Sequence, residues 1–308
     1  MTRLTYTPGG LKRRMQVSTK PTVFLFVEGK EIDPWFYGEI CEQVFSEAQV
    51  GYEIMGAWWL ADPGGKEALI GFYDYLAVTN SLVMDFHGNR SATIFFLDKD
   101  IDDVLHRKRY SDHIVYTEHY AVENYLFAEA DLARASSSAS SIERRAFAAS
   151  LGDGRAWCRR GAEAWRDWVV FCIFTQKHDV RCPYNYRLAA STINDPLDEP
   201  APPAVVQQHK EALQDRSGMP PAQFEKAYRA VARLVDDCYR RDNHQRLFKG
   251  KWYVGLLQAQ IDRVAAGRPH TSHALSNRIW SAVEMTLDFS EDWAEHFRAP
   301  LRALVARF

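Results

Sequence analysis

The sequence predicts an α/β protein: a parallel sheet core flanked by helices, followed by a mostly α-helical C-terminal region. Two runs, TVFLFV (Thr22–Val27) and ATIFFL (residues 92–97), are apolar or β-branched throughout, as in strands buried on both faces. Stretches with apolar residues at helical spacing separate the strand-like runs, and after Leu126 the strand signal fades. Alternating strand and helix implies βαβ crossovers and a doubly wound sheet.

In chain order, residues 1–19 read as a basic N-terminal tail, in which Lys12-Arg13-Arg14 could contact phosphates. Residues 20–127 form the expected α/β domain. It opens with the strand at 22–27, a helix over 34–48, a weaker strand over 52–59 and a helix over 66–80. The strand over 92–97 and a short one over 114–117 complete it. Residues 128–308 form the expected helical domain, with helical patterns at 142–176, 205–216, 221–241, 252–266, 274–288 and 290–306. RASSSASS (134–141) reads as a loop or the start of a helix, and NDPLDEPAPPA (194–204) as a proline-rich break. HTSH (270–273) suits a helix start with a Ser/Thr cap.

Composition bounds the class. The 308 residues, 46% hydrophobic and 13% aromatic, suit a folded body rather than a disordered chain. Cys41, Cys158, Cys172, Cys182 and Cys238 are odd in number and contain no CxxC pair. That pattern suits reduced cytoplasmic thiols better than a disulfide framework or a zinc ribbon. The opening residues hold no secretory apolar run and no apolar stretch is long enough for a bilayer, so a cytoplasmic protein without membrane attachment is expected. The net charge of −2 hides an asymmetry, because residues 20–127 carry eight Lys/Arg against eighteen Asp/Glu. Such an acidic block is either a solvated surface or a metal site whose carboxylates repel one another until cations arrive.

The carboxylates have an order. The first strand runs into VEGKEID, with Glu28 at its carboxyl end and Gly29 in the turn; the strand over 92–97 runs into DKDIDD, with Asp98, Asp100, Asp102 and Asp103 at its end. Ligands of open parallel sheets bind outside the carboxyl ends of the strands. If the two strands are neighbours, Glu28 meets Asp98 and Asp100, with Asp102 a further candidate ligand. Hard oxygen donors in that arrangement suit Mg²⁺ or Mn²⁺. Glu123, in YAVENYL, follows the last strand and could hold a second ion.

Rival readings of these motifs fail on spacing. An EF-hand counted from Asp98 would need Gly where Asp103 stands and Glu where Arg109 stands. A phosphate loop at GGKE (64–67) would need an earlier glycine where Leu60 stands and Ser/Thr where Glu67 stands. His178 and Cys182 have i,i+4 spacing but no further paired ligands. RAWCRRGAEAWRDW (155–168) interleaves Trp157, Trp165 and Trp168 with arginines. The pattern fits a buried stripe, with base stacking on single-stranded nucleic acid as the alternative.

At Glu28-Gly29 and Asp98-Lys99-Asp100 the chain resembles the Toprim domain of topoisomerases, bacterial primases and OLD-family nucleases. That family has Glu-Gly after its first strand and Asp-x-Asp after its third, on a Rossmann-like sheet. VEGKEIDPWFY and YAVENYL look more specifically like the Toprim effectors of PARIS anti-phage defence systems, which work with an ABC-type ATPase partner. The resemblance covers roughly residues 20–127. It implies a Mg²⁺- or Mn²⁺-dependent endonuclease acting on RNA such as tRNA, or on DNA, as a toxic effector and a homodimer. By residue, it implies catalytic roles for Glu28, Asp98, Asp100 and Lys251, with Lys249 as the rival lysine. It adds Asp33 and Glu123 as ligands of a second metal; Asp33 lies one residue further along than the family spacing, and Ala121 replaces the family's serine. A regulatory or nucleic-acid-binding Toprim protein without turnover is the alternative. A topoisomerase would need a catalytic tyrosine in a separate gate domain, and a primase a zinc module; neither is evident.

Overall fold

A computed structural model describes residues 5–46, 48, 50–61, 64–187, 192–266 and 274–308. Strands β1 (Thr22–Val27), β2 (Gly51–Gly56), β3 (Val83–Phe86), β4 (Asn89–Leu97) and β5 (Ile114–Tyr116) form one sheet. Its parallel part runs β2-β1-β4-β5. β3 pairs antiparallel with residues 89–92 of β4, and β5 pairs with residues 95–97 of the same strand. Every residue of β1 is buried, as its unbroken apolar run requires of a central parallel strand.

Alternation along the strands sends two sets of side chains to two faces. Phe24, Phe26, Phe95 and Leu97 pack with Leu11 and Met15 of α1 (Pro8–Gln16) and with Phe72 and Leu76 of α3 (Lys66–Val78). Phe96 stacks on Tyr37 of α2 (Ile32–Phe45), ring centroids 4.5 Å apart. Helical cover on both faces of a parallel sheet is an α/β, Rossmann-like core.

Two compact units divide the chain: one of residues 1–99, 107–118 and 289–308, the other of 100–106 and 119–288. The second holds α4 (Val122–Glu129), α5 (Leu132–Ser140), α6 (Arg144–Leu151), α7 (Gly154–Ala164), α8 (Arg166–Lys177), α9 (Pro203–Ser217), α10 (Pro221–Arg240), α11 (Trp252–Val264) and α12 (Leu275–Glu284). Residues 168–175 of α8 are all buried. In the first unit, Phe289, Trp293 and the α13 (Glu295–Val305) residue Phe297 pack against Phe36 of α2, with centroids 5.3 to 5.8 Å apart.

Several expectations need correcting. Residues 1–19 are not simply a tail: Thr7 caps α1 by accepting from the Gly10 N–H, Pro8 opens it, and Leu11 and Met15 are fully buried. The unit boundary does not fall after 127, because α4 belongs to the second unit and residues 289–308 return to the first. β3 was not expected; it turns into β4 through His87 and Gly88, both at positive φ, a two-residue hairpin loop. Of the two readings of RASSSASS the helical one holds, since residues 134–140 lie in α5 with Ser141 as its C-cap, the Asp131 carboxylate accepts from the Arg134 N–H, and Ala135, Ser136 and Ala139 are buried. Residues 57–59 of the expected second strand form a 3₁₀ turn instead. HTSH lies outside the described residues. Among the described residues no helix is long and apolar enough to cross a membrane.

Candidate active site

In the first unit the strand ends bring Glu28 to Asp98. β1 and β4 are parallel neighbours with Val27 opposite Phe96, so the next residues are Glu28 and Leu97, and the chain turns at Asp98. There the Asp98 N–H donates to Glu28 Oε1 at 2.9 Å. The neighbouring end is tied as well: the Lys99 N–H donates to Thr117 Oγ1 at 2.8 Å, and the buried Lys99 ammonium donates to the Glu118 carbonyl. Asp33 is buried, and its Oδ2 accepts from the Gly29 N–H at 2.7 Å. A Cβ on residue 29 would stand 2.6 Å from Asp33 Oδ1, so glycine is what lets this carboxylate close the turn. The expected second-metal ligand therefore also holds the Glu28-Gly29 turn.

The remaining predicted residues lie in the second unit. Asp100 adopts φ +50° and donates its N–H to the Tyr120 carbonyl at 2.7 Å; Asp is among the few non-glycine residues that tolerate this left-handed region. Asp102 is half-buried in the turn that follows, and Asp103 is ion-paired with Arg246. Glu123 is buried in the first turn of α4, where the helix dipole favours negative charge. Its Oε1 lies 3.3 Å from Lys251 Nζ, and its Oε2 is buried without a hydrogen-bond partner. Lys249 donates to the Tyr186 carbonyl at 2.7 Å. Burial lowers the pKa of its amine and the Lys251 charge lowers it further, while Asp100 and Glu123 act in the opposite sense. Asp100, Glu123, Lys249 and Lys251 thus share one electrostatic neighbourhood. Lys251 is the more exposed of the two lysines and the one paired with Glu123.

Two residues that sequence reasoning did not single out assemble this cluster. Asn124 is fully buried; its Nδ2 donates to Gln245 Oε1 (2.6 Å) and to the Phe248 carbonyl (2.9 Å), and its Oδ1 accepts from the Ala121 N–H (3.1 Å). Gly250 lies so close that a Cβ there would meet the Asn124 backbone nitrogen at 2.5 Å and the Glu123 carbonyl carbon at 2.8 Å. The signal was present as the glycine between two lysines in FKGKW, but its partner is distant in sequence.

Other candidates resolve as structure. Trp157, Trp165 and Trp168 are buried, the helix breaks at Trp165, and Arg155, Arg159 and Arg166 are ion-paired with Glu129, Glu163 and Asp236. The stripe is core and offers no stacking platform. Cys182 Sγ hydrogen-bonds Thr175 Oγ1 at 3.1 Å. All five cysteines are free thiols, and burial raises the pKa of Cys41, Cys158 and Cys172.

His244 is buried with neither ring nitrogen hydrogen-bonded, although Asp242 lies 3.5 Å from Nδ1. Burial outweighs that charge and lowers its pKa to about 4. The native state then holds the ring neutral while the unfolded chain protonates below about pH 6.5. Stability is expected to fall as pH drops from about 6.5 towards 4 and to level off below. Urea denaturation across that range should show a shallower fall for His244→Phe than for the wild type; equal slopes would remove the assignment.

Among the described residues, no group of three or more His, Cys, Asp or Glu side chains is gathered to hold a metal ion. Mg²⁺ nonetheless keeps several waters and binds through one or two carboxylates plus substrate phosphate. The donors present suit such an ion: Glu28 and Asp98 joined at the strand ends, and in the second unit the buried Glu123 with an orphaned oxygen. Compared with known proteins, the chain matches no family model and no curated protein.

Proposed function

We propose that the protein is a Toprim-type endonuclease that cleaves phosphodiester bonds with Mg²⁺ or Mn²⁺. The observation that carries this reading is the hydrogen bond from the Asp98 N–H to Glu28 Oε1. It ties the Glu28 carboxylate to the backbone of Asp98 at the ends of two neighbouring parallel strands, which supports the nearness that the Toprim resemblance expects of its Glu and its first Asp. By the resemblance, Glu28, Asp98 and Asp100 would be the ligands of the catalytic ion, and Asp33, Asp102 and Glu123 the further candidate ligands. When bound, the ion supplies Lewis acidity at a phosphoryl oxygen and a more acidic water. Glu28, oriented by the Asp98 amide, accepts the proton of the attacking water. Lys251, held beside Glu123, offsets charge that develops on the phosphate, with Lys249 as the rival for that role.

Following the resemblance, the activity is that of an AriB-like toxic effector of anti-phage defence, controlled by an ABC-type ATPase partner and acting as a homodimer on RNA or DNA. Purified protein, with and without such a partner, is expected to cut at least one of plasmid, single-stranded DNA and tRNA with Mg²⁺ and none with EDTA. Cleavage indifferent to EDTA would refute the metal mechanism.

A second reading, a Toprim protein that binds nucleic acid without turnover, is favoured by one observation: no three-acid grouping occurs among the described residues. Nucleic-acid binding without cleavage under every one of these conditions would select it.

A further inference from the structure

In the second unit a cleft of about 730 Å³ lies between α10 and the 100–106 turn. Lys177, Arg233, Arg241 and Arg246 line it, against two carboxylates, Asp103 and Asp237. Both carboxylates already have cationic partners, Arg246 for Asp103 and Arg240 for Asp237. All four cations of the cleft are on exposed residues, and no Phe, Tyr or Trp lines it.

The cleft is continuous with the lysine–carboxylate cluster through two short stretches of chain. Arg246, at the cleft, lies three residues before Lys249; Asp103, also at the cleft, lies three residues after Asp100. Asp103 pairs with Arg246, and the charge of Asp100 is felt at Lys249. The acidic turn and the basic segment therefore run alongside each other in opposite directions, with the cleft at one end and Glu123–Lys251 towards the other. Arg233 on α10 and Arg241 at its C-cap are eight residues apart, about 12 Å at helical rise. A stacked strand rises about 3.4 Å per nucleotide, so the interval spans roughly three to four phosphates.

We propose that this cleft is the track on which the sugar-phosphate backbone of a nucleic acid lies as it approaches the Asp100–Glu123–Lys251 cluster. The inference rests on the reading of the protein as one that acts on nucleic acid, and it adds where and how the substrate is held. Without aromatic side chains in the cleft, binding is through phosphates rather than stacked bases, so it tolerates sequence and weakens steeply with salt. Arg246 must exchange Asp103 for a phosphate as the strand enters.

Fluorescence anisotropy tests this in EDTA, where cleavage is silent, with labelled single-stranded DNA, duplex DNA and a tRNA transcript. Arg233→Glu with Arg241→Glu is expected to weaken binding about tenfold or more and to flatten the dependence of log K on log salt by about one unit per residue. The neutral pair Arg233→Gln with Arg241→Gln is expected to lie between this variant and the wild type. Lys226→Glu with Arg229→Glu makes the same charge change on α10 with neither residue lining the cleft, and is expected to have the smaller effect. Equal losses in the two Glu pairs, unchanged affinity in both, no binding by the wild type to any of the three probes, or displacement by polyglutamate as effective as by unlabelled nucleic acid would each overturn the proposal. Binding through the cleft without cleavage under any condition leaves this inference standing and removes the nuclease reading.

Discussion

Glu28→Gln is expected to lower metal-dependent cleavage by roughly 10²- to 10⁴-fold, the range associated with loss of a general base, while leaving the fold intact. The amide carbonyl of Gln can still accept from the Asp98 N–H, so the link between the ends of β1 and β4 survives. What disappears is the negative charge, and with it the base and a hard anionic donor for the ion. Glu28→Ala removes the acceptor as well, leaving the Asp98 amide without this bond, and is expected to lose some stability besides activity. Cleavage assays with Mg²⁺, read beside thermal melts of both variants, separate the two effects. Wild-type cleavage by Glu28→Gln would end the catalytic assignment.

The second large effect is expected at Gly250. A Cβ there collides with backbone atoms of Asn124 and Glu123, which cannot rotate away as a side-chain tip can. Gly250→Val should therefore cost about 1–3 kcal/mol or more through overpacking. It should also push Lys249 and Lys251 off the first turn of α4, breaking the 3.3 Å pair of Lys251 with Glu123. Cleavage is expected to fall at least about tenfold even where urea titration shows the variant fully folded, since small displacements of positioning groups are costly to catalysis. An unchanged urea midpoint together with unchanged cleavage would show that this contact matters to neither fold nor site.

Much of the sheet was legible because it is written locally. The unbroken apolar runs of β1 and β4 mark strands buried on both faces, and the acids after them follow from the parallel register. The β3–β4 hairpin was also written locally, in the Gly88 that follows His87, but a short strand with two exposed residues gives little periodic signal. What the sequence did not disclose is long-range. Asn124 is an ordinary helical residue until Gln245 and Phe248 stand beside it, 121 and 124 residues away in the chain. Phe289, Trp293 and Phe297 form an apolar stripe at helical spacing, yet nothing in that spacing says that their partner is Phe36. Asp33 was legible only through the resemblance, as a second-metal ligand; its burial and its hold on the Gly29 amide depend on how the turn closes.

The return of residues 289–308 to the first unit sets an order on biosynthesis. Domains generally fold as they leave the ribosome, the earliest-made first. Here the body that contains β1 waits until residues 289–297 have been made, because they carry the aromatic cover over α2 and most of the helical unit is translated before them. The helical unit, most of it encoded in between, can finish while α2 still lacks that cover. A nascent chain halted before residue 289 thus carries Glu28 and Asp98 on an incompletely covered scaffold, and the acid pair is fully supported only once the segment beyond the helical unit has been made.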